Sequence, residues 1–140
     1  MAEPRETCFD DLWPGRTFPP YRYVLTEDLA RRYAAIAGAE PATYPAVLAS
    51  QGLPLVAPPL LLDTLQPLKA LLAFPEGVVH AREEVEFRGL GRVGDQITVW
   101  LSVEDRYVRN ERRFVRFVQR AENQRGETLL VARKTLVWPC

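Results

Sequence analysis

The apolar positions change period once along the chain. As far as Phe74 they fall at helical spacing or in runs broken by proline, and from Val78 onward they alternate. The first periodic segment is TEDLARRYAAIAG. Thr26 can accept from the free amides of a helix start, and Glu27 and Asp28 suit the positive end of its dipole. Leu29, Tyr33 and Ile36 lie on one face, and Gly38 is a natural stop because it tolerates the left-handed conformation. The preceding PPYRYVL reads as extended, since proline biases its neighbours away from helix.

YPAVLASQGLP predicts one or two short helical turns. The segment VAPPLLLDTLQPLKALLAF then predicts the main buried helix, over Pro59–Phe74. Pro58 and Pro59 suit its start, where a missing amide costs little. Leu60, Leu61, Leu62, Leu65 and Leu68 leave almost no polar side, so the helix needs cover nearly all round. Pro67 should kink it. Four strand-like segments follow: VVHAREEVEFR (78–88), DQITVWLSVEDRYV (95–108), RRFVRFVQRAEN (112–123) and TLLVARKTLVWP (128–139). Ile97, Val99, Leu101 and Val103 alternate with Thr98, Trp100, Ser102 and Glu104. The turn signals RVGD and NQRG, ending in Asp95 and Gly126, give short connections and hence antiparallel neighbours.

Helices followed by a run of strands argue for one α+β domain over 1–140, with a curled antiparallel sheet wrapped on the central helix. A single small sheet leaves an open edge, which a homodimer would cover. Composition sharpens this little. The 140 residues are 47% hydrophobic and carry a formal net charge of zero, so nothing marks a nucleic-acid or anionic-membrane surface. The start has no apolar leader-like stretch, and the longest apolar run, VAPPLLL, is too short to span a bilayer; a cytoplasmic protein is expected. Cys8 and Cys140 stand at opposite ends, without metal-ligand spacing, and read as two reduced thiols.

The ordered set YVLTEDLARRYAAIAG, GLPLVAPPLLL, VVHAREEVEFRGLGRVGD and GETLLVARKTLVW resembles the MaoC-like dehydratase family of the hot-dog fold, nearest its N-terminal, FAS1-type branch. The likeness runs from Phe9 to Trp138. It implies binding of acyl thioesters of coenzyme A or acyl carrier protein, with that carrier as part of the substrate and no other cofactor. It implies (R)-specific hydration of a trans-2-enoyl thioester, or the reverse dehydration, as a lyase of fatty-acid metabolism. It also implies a homodimer or a paired MaoC-like chain with the acyl tunnel between subunits. In the family an Asp and a His on the loop after the first helix handle the proton, and an amide at the start of the central helix holds the thioester oxyanion. Such chemistry needs a base for water, a proton for the α-carbon and a donor for the enolate oxygen.

The loop Gly38–Pro45 departs from the family motif Gly-Asp-x-Asn-Pro-x-His. Gly38 and Pro41 match; Ala39 stands where the Asp is expected and Thr43 where the His is expected. Pro59, at the helix start, has no amide to give. The resemblance therefore implies the fold with its proton-handling pair gone. The pocket is expected near Gly38, Thr43, Tyr44, Ala57, Pro58 and Leu60.

Three residues are candidates for the chemistry. Glu40 is the acid of the loop, and its alternative is a solvated carboxylate. His80 is the only histidine; simple alternation puts it beside Arg82, Glu84 and Glu86, away from Val79, Ala81, Val85 and Phe87, which favours an exposed polar role. Asp63, an acid among leucines, could activate water in a thioesterase, or could be a carboxylate stabilised by the helix start. The arginines of RYVRNERRFVRFVQR (106–120) could meet coenzyme A phosphates, or form a solvated face balanced by Glu104, Glu111 and Glu122. Three functions stand open: a hydratase/dehydratase with a rebuilt site, a non-catalytic subunit of a paired hot-dog assembly, and a thioesterase using Asp63.

Overall fold

The structure is a computed structural model that describes residues 5–36 and 72–140, with the backbone alone described at 33–36. A short 3-10 turn, Phe9–Asp11, precedes strand β1 (Tyr21–Val24) and helix α1 (Glu27–Ile36). Strands β2 (Val79–Phe87), β3 (Gln96–Arg109), β4 (Arg112–Glu122) and β5 (Thr128–Trp138) follow. They form one five-stranded sheet in the order β1-β3-β4-β5-β2, antiparallel throughout. The helix begins as the residues predict, with Leu29 N–H donating to the Thr26 hydroxyl at 3.2 Å.

The predicted central helix, Pro59–Phe74, lies outside the described residues except for Leu72, Ala73 and Phe74, and those three are not helical. Pro75 follows, and a residue before proline is driven out of the helical region. The turns predicted in YPAVLASQGLP also lie outside the described residues, as do the side chains of Tyr33 and Ile36. On α1 the described apolar contact with the core is Ala30, fully buried, supported by the half-buried Leu29.

The strands alternate as their residues require. Ile97, Val99, Leu101 and Val103 of β3 face inward together with Val115, Phe117 and Ala121 of β4 and Leu130, Ala132, Leu136 and Trp138 of β5. Two apolar clusters result on this face. One gathers Leu25, Ala30, Ile97, Val99, Ala121, Leu130 and their neighbours. The other gathers Leu12, Phe18, Leu72, Leu101, Phe117, Leu136 and Trp138. The N-terminal segment reaches the second cluster by running along β3. Gly15 N–H donates to the Val103 carbonyl, Val103 N–H to the Arg16 carbonyl, and Phe18 N–H to the Leu101 carbonyl.

Asp95 closes the turn that enters β3. Its carboxylate accepts from Arg92 N–H at 2.9 Å and from the Gln124 amide at 3.0 Å, and it is buried. Its backbone carbonyl accepts from Leu25 N–H. One side chain thus joins the β3 entry to the β4–β5 turn, close to the start of α1. Asp95→Ala is expected to cost about 1–3 kcal/mol, because two donors lose a charged acceptor. Urea unfolding measures it, and a loss below a few tenths would mean that water replaces the carboxylate without penalty.

The β3–β4 hairpin turns at Asn110 and Glu111, both with positive φ (51° and 61°). Such a two-residue turn matches the strand twist, and asparagine suits its first place, but glutamate is strained at the second. Glu111→Gly should therefore stabilise by about 0.5–1 kcal/mol. A midpoint that stays put or falls in chemical denaturation would show that the turn is not strained there.

Candidate functional site

A β-bulge decides where the only histidine points. In the β2–β5 ladder His80 pairs with Leu136, whereas Arg82 pairs with Thr135, so Ala81 is an extra residue. Leu136 faces inward and Thr135 outward. His80 therefore shares the inner face with Glu83, which pairs with Lys134, and Arg82 and Glu84 go to the outer face. The simple alternation, which grouped His80 with Arg82, Glu84 and Glu86, is overturned by one inserted residue. The side chain remains 49% exposed, because β2 is an edge of the sheet.

Glu83 stands between His80 and Lys134. Its Oε2 lies 3.7 Å from His80 Nε2 and its Oε1 lies 3.6 Å from Lys134 Nζ. Lys134 is 1% exposed. Gln119, fully buried, lies one strand further in, with Leu101 and Ala132 as its ladder neighbours. A polar row thus crosses the inner face from the β2 edge through β5 to β4 and separates the two apolar clusters. Among the described residues Gln119 has no hydrogen-bond partner for either side-chain atom, and neither has the Tyr23 hydroxyl. Burial, and then the charge of Tyr21, push the Tyr23 phenol well above its usual range, so it stays a neutral donor.

Such a row can do acid–base work. A carboxylate beside an imidazole can orient the ring and fix which nitrogen carries the proton. Sequence reasoning missed Glu83, Lys134 and Gln119. The signal was present for the last two: Lys134 falls in phase with Leu130, Ala132 and Leu136, and Gln119 with Val115, Phe117 and Ala121. A lysine or glutamine at the inward phase of a strand is a rare choice that calls for a partner or a role.

Gly38, Glu40, Thr43, Tyr44, Ala57, Pro58, Leu60 and Asp63 lie outside the described residues. Of the six arginines of 106–120, Arg116 and Arg120 stand in ion pairs, and Arg106 and Arg113 donate to the Phe9 and Pro139 carbonyls. Arg116 and Arg133 both hold Glu104, at 2.8 and 3.1 Å, and Arg120 holds Glu122 at 2.9 Å. Burial pushes the Glu104 carboxyl up, but hydrogen bonds and charge from Arg133 and Arg116 outweigh it and hold it below the usual range. An open groove of about 460 Å³ runs past Arg82, Tyr107, Phe114, Arg116 and Arg133. It lies on the outer face, away from the polar row. Among the described residues no three His, Cys, Asp or Glu side chains gather as a metal site, and no helix is long and apolar enough to cross a membrane.

Known structures share this architecture almost end to end. The unliganded R-hydratase PhaJ1 from Pseudomonas aeruginosa superposes with a TM-score of 0.78 at 21% identity, over 94% of this chain and 85% of that one. The chain folds as the MaoC-like hot-dog proteins do. A MaoC-like dehydratase from Rhodospirillum rubrum gives a TM-score of 0.77 at 21% identity, covering 96% of this chain and 98% of its own. The C-terminally truncated HadBC complex from Mycobacterium tuberculosis, a 3R-hydroxyacyl-ACP dehydratase, gives 0.67 at 19% identity, over 89% and 96%. No protein-family profile and no curated protein matches the sequence. The hot-dog fold expected from the resemblance is therefore the fold of this chain. Its curled antiparallel sheet is the expected one, and among the described residues β2 is one of its two outer strands.

Proposed function

We propose that the protein binds acyl thioesters as a member of the (R)-specific enoyl-thioester hydratase/3-hydroxyacyl dehydratase class, with His80 and Glu83 as its proton-handling pair. The observation that carries the reading is the bulge at Ala81, which turns His80 onto the inner face 3.7 Å from Glu83. Hydration adds the oxygen of water to the β-carbon and a proton to the α-carbon. His80 would take the proton from water as the C–O bond forms and return it to the α-carbon, leaving the imidazole unchanged over the cycle. Glu83 would orient the ring and stabilise the imidazolium in between. The 3.7 Å separation exceeds a hydrogen bond, and catalytic contacts commonly tighten when substrate fills the site.

The outer edge of β2, open among the described residues, speaks for a homodimer as the working form. Val79 and Phe87 are exposed on that strand, and an open, partly apolar edge is a ready surface for another strand. His80 lies on the same edge, so a second copy docked there would put the pair at a subunit junction.

A second reading has its own support. Ala39 and Thr43 stand where the Asp and His of the loop motif are expected, and one of the similar structures is a complex of two chains. In that reading this chain shapes the acyl tunnel while a paired hot-dog chain does the chemistry. The test is the loss of conjugated absorbance when purified protein meets crotonyl-CoA and longer enoyl-CoAs. Loss with this chain alone is the expected result. Loss only after a hot-dog chain with an intact Asp/His loop is added selects the subunit reading. No loss in either case overturns the class, and thiol release from saturated acyl-CoA would move the chemistry to Asp63 and hydrolysis.

A further inference from the structure

The fold brings the two cysteines together from opposite ends of the sequence. Phe9 N–H donates to the Cys140 carbonyl at 2.6 Å, and the Trp138 indole N–H donates to the Thr7 carbonyl at 2.8 Å. Cys140 Sγ lies 3.8 Å from the same Thr7 carbonyl. Cys8 is the residue between Thr7 and Phe9, so both of its chain neighbours are fastened to the end of β5. Both thiols are partly accessible. The Cys8 thiol beside it, and then burial, push the Cys140 thiol up to about 11.

We propose that Cys8 and Cys140 form a reversible disulfide that fastens the N-terminal segment to the end of β5. The oxidant is a hydroperoxide or a small-molecule disulfide. With a hydroperoxide, one thiol becomes a sulfenic acid as the peroxide O–O bond breaks, and the second thiol then displaces water to form the S–S bond. With a small-molecule disulfide, one cysteine forms a mixed disulfide and the other displaces the second small thiol, so that two small thiols leave with the protein's two protons. Because Cys140 is held protonated at neutral pH, exchange should speed up as the pH rises.

The bond would do more than join two loose ends. Thr7 N–H also donates to the Ala73 carbonyl at 2.9 Å, between Leu72 and Phe74 of the second apolar cluster. The cysteines therefore sit on a three-way junction of the N-terminal segment, the end of β5 and the chain entering β2. A crosslink across so long a stretch of chain removes much of the freedom of the unfolded state. Oxidation should then make the fold harder to melt without changing its shape.

The experiment treats the full chain with oxidised glutathione or hydrogen peroxide and maps the peptides without reduction. The expected result is a Cys8–Cys140 linked peptide, an intact mass lower by two hydrogens, and a melting midpoint higher by about 5 °C or more. Dithiothreitol should reverse all three, and Cys8→Ser and Cys140→Ser should each remove the rise. Glutathione adducts without the linked peptide, disulfides only between two copies, or thiols that stay free would each overturn the proposal. The readout needs no acyl thioester, so it stands apart from the proposed function.

Discussion

Replacing His80 with glutamine is expected to lower enoyl-CoA hydration by about 10²–10⁴-fold, the usual contribution of a positioned acid–base group. The melting midpoint should hardly move, because the side chain is half-exposed and its described partner is Glu83, at 3.7 Å. Glu83→Gln should lower the rate in the same direction by less. Full activity in His80→Gln would remove the pair from the mechanism and return the search for a base to Glu40.

The largest stability effect is expected at Trp138. It is 1% exposed and meets Phe74 edge-on, with ring centroids 5.3 Å apart. The Phe117 ring lies tilted against it, with centroids 6.1 Å apart. Its indole N–H also carries the hydrogen bond to Thr7, which ties the N-terminal segment to β5. Trp138→Ala removes the packing, leaves a cavity and frees a backbone acceptor, a combination worth about 3–5 kcal/mol. Urea unfolding of the two proteins, read by circular dichroism, gives the difference. A loss under 1 kcal/mol would mean that this corner closes up around the gap.

The strands were legible because alternation needs only local residues. The phase assigned to Ile97, Val99, Leu101 and Val103 is the buried phase, and the turns at Asp95 and Gly126 are where RVGD and NQRG put them. The orientation of His80 was not legible. The run HAREE is polar on both sides, so no apolar residue records which phase faces inward, and a bulge leaves no residue signature there. The approach of Cys8 to Cys140 was hidden for a different reason. It depends on β5 ending beside the N-terminal segment, a pairing that no local pattern encodes. The expected pocket residues Gly38, Thr43, Tyr44, Ala57, Pro58 and Leu60, with Glu40 and Asp63, lie outside the described residues.

The sheet order also has a kinetic consequence. Strands β3, β4 and β5 are consecutive, joined by tight turns, and share the two longest ladders. They can zip as a meander with little loop-closure entropy. Strand β1 has only a four-residue ladder on β3, and β2 must wait for β5, which follows it after two intervening strands. Both outer strands are synthesised before the partners that template them. The exposed apolar residues of the outer strands, such as Val79 and Phe87, therefore precede the strands that pair with them, so chaperone demand should be highest before the meander closes.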